Sequence, residues 1–285
     1  MFGVRCGLSL EVALAAVLLV GCSKGWVRRK ETSVGASGDA SFLYGDLDGF
    51  LQIPRGGQPG TTSSKRPTFD ELGFGSVPMA DVSVAGHLAE HELYGGARII
   101  DSSAQATLGQ TLTSHGTIYP GGSQVGSSAQ LNWYRVGYRY RLGFRGDDGR
   151  IFDLTPGVEL ALLSFAYDLH GPDDLASSRS FSKGTVRMGV GSSLDLGLGL
   201  SVAGNLSGSL PVASMPSIFS VSSTLNYRFW SQGTCEARAS LGVAYDQVGY
   251  RDRQQVPNDI DATVGPSLMV GISGTWSPSC GGGAD

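Results

Sequence analysis

Lysine is nearly missing from this chain: Lys24, Lys30, Lys65 and Lys183 are the only four among 21 basic residues. Charged residues of every kind amount to 16%, well under the roughly 25% of an ordinary soluble domain. The dense lysine–glutamate coat of a typical soluble surface is therefore excluded. A net charge of -4 excludes binding dominated by phosphate contacts, so nucleic acid is not an expected partner. Cysteine and histidine are scarce, with four of each. No run of 18 apolar residues occurs anywhere, which excludes a membrane-spanning helix. Helical periodicity is missing as well. Apolar residues make up 41%, too many for a disordered chain. Glycine is abundant, with 43 among 285 residues, about twice the usual share.

The N-terminus reads as an address. Arg5 is the one early positive charge, Glu11 follows, and 12–20 is an apolar run of nine. Nine residues are too few to cross a bilayer but suit the core of a signal peptide. Leu19-Val20-Gly21-Cys22 closes the run and resembles the lipobox of bacterial lipoproteins. The resemblance implies loss of residues 1–21 and acylation of Cys22, the expected lipid anchor. Each buried CH2 of such an anchor contributes about 0.8 kcal/mol. Residues 22–41 are small and polar and read as a flexible tether.

Period-two alternation governs the rest, which is the signature of strands. Over 134–145, Tyr134, Val136, Tyr138, Tyr140, Leu142 and Phe144 share one face. Arg135, Arg139, Arg141 and Arg145 share the other with two glycines. Phe152, Leu154, Val158, Leu160 and Leu162 answer from the next segment, with Asp153 and Glu159 opposite them. A three-residue loop with Gly149 in the left-handed position joins the two. It predicts Phe144 against Phe152, Leu142 against Leu154 and Tyr134 against Leu162. Asp153 then falls between Arg141 and Arg145, and Glu159 between Arg135 and Arg139. A two-residue loop would set arginine against the apolar face, so turn and face chemistry agree on the register. Ten strands are predicted: 42–53, 79–89, 92–101, 128–145, 150–169, 181–190, 194–210, 217–230, 234–250 and 261–276. The charged faces collect nine basic and ten acidic residues, among them Asp46, Asp48, Lys183 and Asp261.

Four features favour lipid outside and charge inside. The polar faces are mostly Gly, Ser, Thr and Asn. The strands are long. Aromatics gather near strand ends, with Phe144, Phe152, Tyr227, Phe229 and Trp276 at one level and Tyr134, Phe219, Tyr245 and Tyr250 at the other. Short turns at 147–149, near 191–193 and at 231–233 alternate with longer connections at 102–127, 170–180, 211–216 and 251–260. In this pattern 42–277 resembles the bacterial outer-membrane β-barrel superfamily. The resemblance implies an all-β, up-and-down antiparallel transmembrane barrel of about ten strands, with eight and twelve left open. Residues 278–285 would be a C-terminal tail. The last strand, GPSLMVGISGTW, resembles the terminal aromatic signal of such barrels. Outer-membrane lipid and the barrel-insertion machinery are the implied partners, with the acylated N-terminus on the periplasmic side.

That topology brings Cys235 and Cys280 to the periplasmic end, a candidate disulfide in a compartment that permits one; two unpaired thiols are the alternative. His87, Glu90, His91 and Glu92 flank one turn, but the pattern is not that of a zincin and reads as a polar turn. His170 with Asp173 and Asp174 sits at the outer rim with no identifiable nucleophile. No catalytic, metal or cofactor site is expected. Arg135, Arg139, Arg141, Arg145, Asp153 and Glu159 read as a lumen charge network. Its near balance favours a salt-bridged plug over an ion-selective constriction. The expected role is a non-enzymatic, lipid-anchored barrel for envelope integrity or surface interaction. A small passive pore, a rim-active hydrolase and a soluble periplasmic lipoprotein carrying an apolar ligand are the alternatives.

Overall fold

The computed structural model describes residues 26–29, 33–52, 67–114, 116–253 and 258–278. Within them ten antiparallel strands close into a barrel. They are β1 (Val34–Gln52), β2 (Ser76–Leu88), β3 (His91–Thr107) and β4 (Gln124–Tyr140, continued by Leu142–Arg145). β5 (Ile151–His170), β6 (Ala176–Gly197) and β7 (Leu200–Ser209) follow. β8 (Ser217–Gln232), β9 (Cys235–Arg251) and β10 (Asp259–Trp276) complete the wall. Each strand pairs with its sequence neighbours, and β10 pairs with β1 to close the cylinder. A further short segment, Val27–Arg29, pairs with the Leu142–Arg145 extension.

The β4–β5 register is the one that turn chemistry predicts: Phe144 faces Phe152, Leu142 faces Leu154 and Tyr134 faces Leu162. Gly149 takes φ 83° in the connecting loop. Other boundaries differ. β1 starts at Val34, so 34–41 belong to the wall and not to the tether. The β6–β7 turn is at Leu198-Gly199, not near 191–193. Gly191-Ser192-Ser193 has turn composition but runs as strand, because Gly197, Leu198 and Gly199 take the positive φ angles that a tight turn needs. The predicted 102–127 loop shrinks to 108–123, which carries a small hairpin of Leu112–Ser114 and Thr117–Tyr119.

The barrel has two tiers of opposite polarity. Nearest the short turns, large apolar side chains point outward: Leu160 is 60% exposed, Val136 59% and Leu268 67%. Phe42, Tyr44, Val84, Leu93, Val158, Val243 and Ile272 extend this belt around the wall. On β5 it spans 154–162, nine residues. Nine residues at about 3.3 Å each, tilted by 35–45°, rise roughly 23 Å. Beyond it the faces exchange character. Asp46, Asp48, Asp101, Asp168 and His170 lie on the outer face, while Leu47, Leu51, Ile100, Leu131, Phe165, Tyr167 and Leu169 are buried inside.

Asp46, Asp48 and Asp261 are thus outside the wall, not in the lumen as alternation predicts. In β1 the face opposite these aspartates (Leu43, Leu47, Leu51) is the inward one. For β10 a bulge at Gly265 and Pro266 inserts one residue relative to both neighbours, so Leu268, Val270 and Ile272 face out while Val264, Ala262 and Ile260 face in. The aromatic levels change too. Phe152 is covered by Trp26, with ring centroids 6.2 Å apart, and Tyr250 is buried against Phe181. Tyr227, Phe229, Trp230 and Trp276 remain exposed at the short-turn level.

Two loops fill the long-loop end. Thr68 and Glu71 form a reciprocal capping box, Thr68 N–H to Glu71 at 3.0 Å and Glu71 N–H to Thr68 at 3.1 Å. That turn drives Phe69, Leu72 and Phe74 into the mouth, where Ser127 of β4 donates to the Leu72 carbonyl at 2.8 Å. From the other side Leu108, Leu112 and Tyr119 descend, and Tyr119 donates to Ser177 (3.0 Å) and to the Leu169 carbonyl (3.2 Å). The result is one continuous apolar core at this end.

Candidate functional site

Below this core lies the charged lumen. Strand alternation aims Asp81 of β2, Arg98 of β3, Arg135 of β4, Glu159 of β5, Arg187 of β6 and Asp246 of β9 inward at neighbouring levels. Three guanidiniums meet three carboxylates. Arg135 grips Asp81 with both Nη atoms, at 2.7 and 3.1 Å, the fork geometry that makes such pairs strong. Arg98 donates Nε to Asp81 at 2.7 Å and reaches across the lumen with Nη1 to Asp246. Arg187 donates to Glu159 and, through Nη2, to Ser207 of β7 (2.7 Å) and Ser220 of β8 (2.9 Å). Arg187 is 1% exposed. Charges so buried persist because each is neutralised and hydrogen-bonded.

Tyr94, Gly137 and Glu159 occupy one rung of three consecutive strands. A Cβ at 137 would fall 2.7 Å from the Tyr94 ring. The ring therefore lies over the glycine, and its hydroxyl donates to Glu159 two strands away. Arg139 covers the other side of the ring at 3.8 Å, a cation–π contact. Toward the short turns Arg139 and Arg141 share Glu92, at 3.4 and 3.1 Å. At the top of the network Arg98 sits under Trp133, 5.6 Å from its centroid, so the cluster abuts the apolar core.

A polar cavity of about 350 Å³ is left beside this cluster. Its charged wall includes Asp39, Arg139 and Asp153; the opposite wall is hydroxyl and amide, with Ser192, Asn205 and Asn226.

Arg135, Arg139, Arg141, Asp153 and Glu159 are brought to the lumen; Arg145 is exposed at the end of the β4–β5 hairpin. The ion-pair partners differ from the expected ones. Arg135 pairs with Asp81 and Arg139 and Arg141 with Glu92, while Glu159 pairs with Arg187. Glu159 has Arg187 directly opposite it on β6, and Arg139 has Glu92 directly opposite on β3, so the straight cross-strand neighbour on the other flank is used in place of the diagonal one in the β4–β5 hairpin. Tyr94 was not anticipated; its signal is the glycine set between Arg135 and Arg139. Cys235 opens β9 beside Trp276, while Cys22 and Cys280 lie outside the described residues. His91 and Glu92 are on opposite faces, His91 against Tyr138 (2.7 Å) and Glu92 against the arginines. Among the described residues no group of three or more metal-ligating side chains occurs, and no hydrogen bond joins His170 to a nucleophile.

No known family profile matches the chain, and no curated protein sequence matches it. Solved structures do. The outer membrane protease OmpT from Escherichia coli is similar over 90% of this chain and 99% of its own, at 9% identity and TM-score 0.44. The Pseudomonas putida toluene transporter TodX covers 86% of this chain and 90% of its own, at 9% identity and TM-score 0.26. A Pseudomonas aeruginosa FadL homologue has the same coverage and identity, with TM-score 0.27. The likeness is one of barrel architecture, and no residue role is carried across from it.

Proposed function

We propose that this chain is a sealed, non-enzymatic outer-membrane barrel, lipid-anchored through Cys22, with a structural or surface-interaction role. One observation carries this reading: the Arg98–Asp246 strut crosses the lumen, and the Phe69–Leu72–Phe74 cluster packs in the mouth above it. A charge network alone admits water and ions; an apolar plug stacked on it does not. The outward belt supports the membrane setting. An exposed apolar band that runs around the wall marks a contact with lipid or protein, and its height suits a bilayer crossing. Arginines buried within and leucines exposed without invert the pattern that a soluble carrier requires.

The N-terminal contacts support the anchor. Trp26 packs on Phe152, and Arg28 donates to the Tyr140 hydroxyl at 3.1 Å, at the short-turn end. Four peptide steps separate Cys22 from Trp26, a reach of at most about 14 Å. Acyl chains on Cys22 would enter the leaflet beside that end, the periplasmic one in barrels of this kind.

Planar-bilayer recording tests the reading. The whole chain should insert without stable unitary conductance. A large, stable conductance that changes on Arg139→Ala would establish a pore instead.

A further inference from the structure

β6 outgrows its neighbour. β5 pairs with it as far as Ala176 opposite His170, whereas β7 pairs with it only from Arg187 opposite Ser209. Over 176–185 the strand is thus laddered on one side only among the described residues. The Val186 carbonyl accepts from Leu210 N–H at 2.9 Å, so Val186 aims its backbone groups toward the β7 side. In a strand, N–H and C=O of one residue point the same way, and every second residue shares that direction. Ser178, Ser180, Ser182 and Gly184 therefore present both groups to the side where no described strand pairs, and all four are exposed. Gly184 stands opposite Leu162, the last rung of the apolar belt. From Ser182 back to Ala176 the edge lies beyond the belt.

Proteins ordinarily cover, bulge or charge such an edge. Here Arg179 and Lys183 lie four residues apart on its inward side, flanking Phe181, whose ring meets Tyr250 at 4.8 Å. Neither makes an ion pair among the described residues, and Arg179 Nε is buried without a hydrogen-bond partner. The lumen arginines at 98, 135, 139, 141 and 187 all have carboxylates. The edge thus combines an unfilled backbone ladder with two unneutralised cations about 13 Å apart. A second copy centred on Phe181 is disfavoured as the occupant. Antiparallel β6–β6 pairing centred on Phe181 would set Arg179 against Lys183, and like charges directly opposite destabilise a ladder.

We propose that the 178–184 edge of β6 is a docking strand for an extended acidic peptide segment of a partner protein. The segment adds as a strand on this edge. Two of its carboxylates, four residues apart, face Arg179 and Lys183, and a small or aliphatic residue between them faces Phe181. The inference does not depend on the sealed lumen, since a conducting barrel could carry the same edge.

The test uses the full chain in zwitterionic detergent and two labelled ten-residue Thr/Val peptides, one with two glutamates four apart and one with lysines in their place. Fluorescence anisotropy should show the glutamate peptide binding at least tenfold more tightly. The double variant Arg179→Glu/Lys183→Glu should reverse that preference. Ser182→Pro removes an N–H from the open side while sparing the β5 ladder; it should abolish binding with heat-modifiable gel migration unchanged. Amide exchange gives an independent reading. Ser178, Ser180, Ser182 and Gly184 should exchange fast in the free chain and slow with peptide, while Arg179, Phe181 and Lys183 stay protected throughout. Equal or absent binding of the two peptides overturns the proposal. So does protection of the even-numbered amides in the free chain, which would show the edge already covered by another part of the molecule.

Discussion

The Tyr94 ring reaches Glu159 because position 137 has no side chain. Gly137→Val sets a branched residue where the Cβ alone would be 2.7 Å from the ring. The ring must lift, and the hydroxyl loses Glu159. The expected cost is about 1–3 kcal/mol, the usual range for overpacking, read as a lowered urea midpoint of the refolded protein. The Glu159–Arg187 pair makes a sharper case. Glu159→Ala leaves a buried guanidinium uncompensated and should cost about 3–5 kcal/mol, while Glu159→Leu with Arg187→Met should be close to neutral. If the double variant is as unstable as the single, the pair contributes more than mutual neutralisation. The sequence shows the facing of these residues but not their pairing. Glu159 and Gly137 are opposite each other by hairpin arithmetic. That Glu159 belongs with Arg187, and Arg135 with Asp81, depends on strands whose mutual register no short turn announces.

The same division runs through the elements. Strands with charge on one face and aromatics on the other, β4 and β5 above all, are legible in facing and in register. β10 is not, because one extra residue at its bulge exchanges the faces halfway along, and no alternation rule anticipates where a bulge falls. The β6–β7 turn was missed because Leu196-Gly197-Leu198-Gly199 alternates like a strand; Leu198 is 96% exposed at its tip. The loop cluster in the mouth was missed altogether. Its residues sit in segments that read as loops, and only contact with the upper inner wall makes them core. Tyr119 and Tyr167 are titratable members of that core and lie above the belt. Burial raises both phenols above the ordinary 10.0, and the Ser177 hydroxyl partly offsets this for Tyr119. A raised value means the stabilisation is whole below pH 10 and is lost as pH climbs through the folded-state value. Ultraviolet titration should show Tyr119 and Tyr167 ionising only as pH climbs past 10, together with loss of the near-ultraviolet dichroism of this core. Titration of both near pH 10 would contradict a closed core.

At the scale of the molecule, two solvents explain one chain. In the proposed membrane setting lipid surrounds the belt, where apolar residues face out and charges pair within. Where water surrounds the wall, the same strands turn aspartate and serine outward and bury leucine and phenylalanine. Strands of 16 to 22 residues, such as β8 and β6, are longer than a crossing of about 9–11, and the surplus builds the upper tier. Alternation reveals that two faces exist but not which medium each one meets, so the exchange of faces was beyond the sequence. The most direct test is depth-dependent quenching by brominated lipids. Leu160→Trp in an otherwise tryptophan-free chain should be quenched most strongly by bromines deep in the acyl chains, and Trp133 alone should be unaffected. Quenching of Trp133 with Leu160→Trp untouched would mean that the belt faces protein or water, and the membrane account would fail.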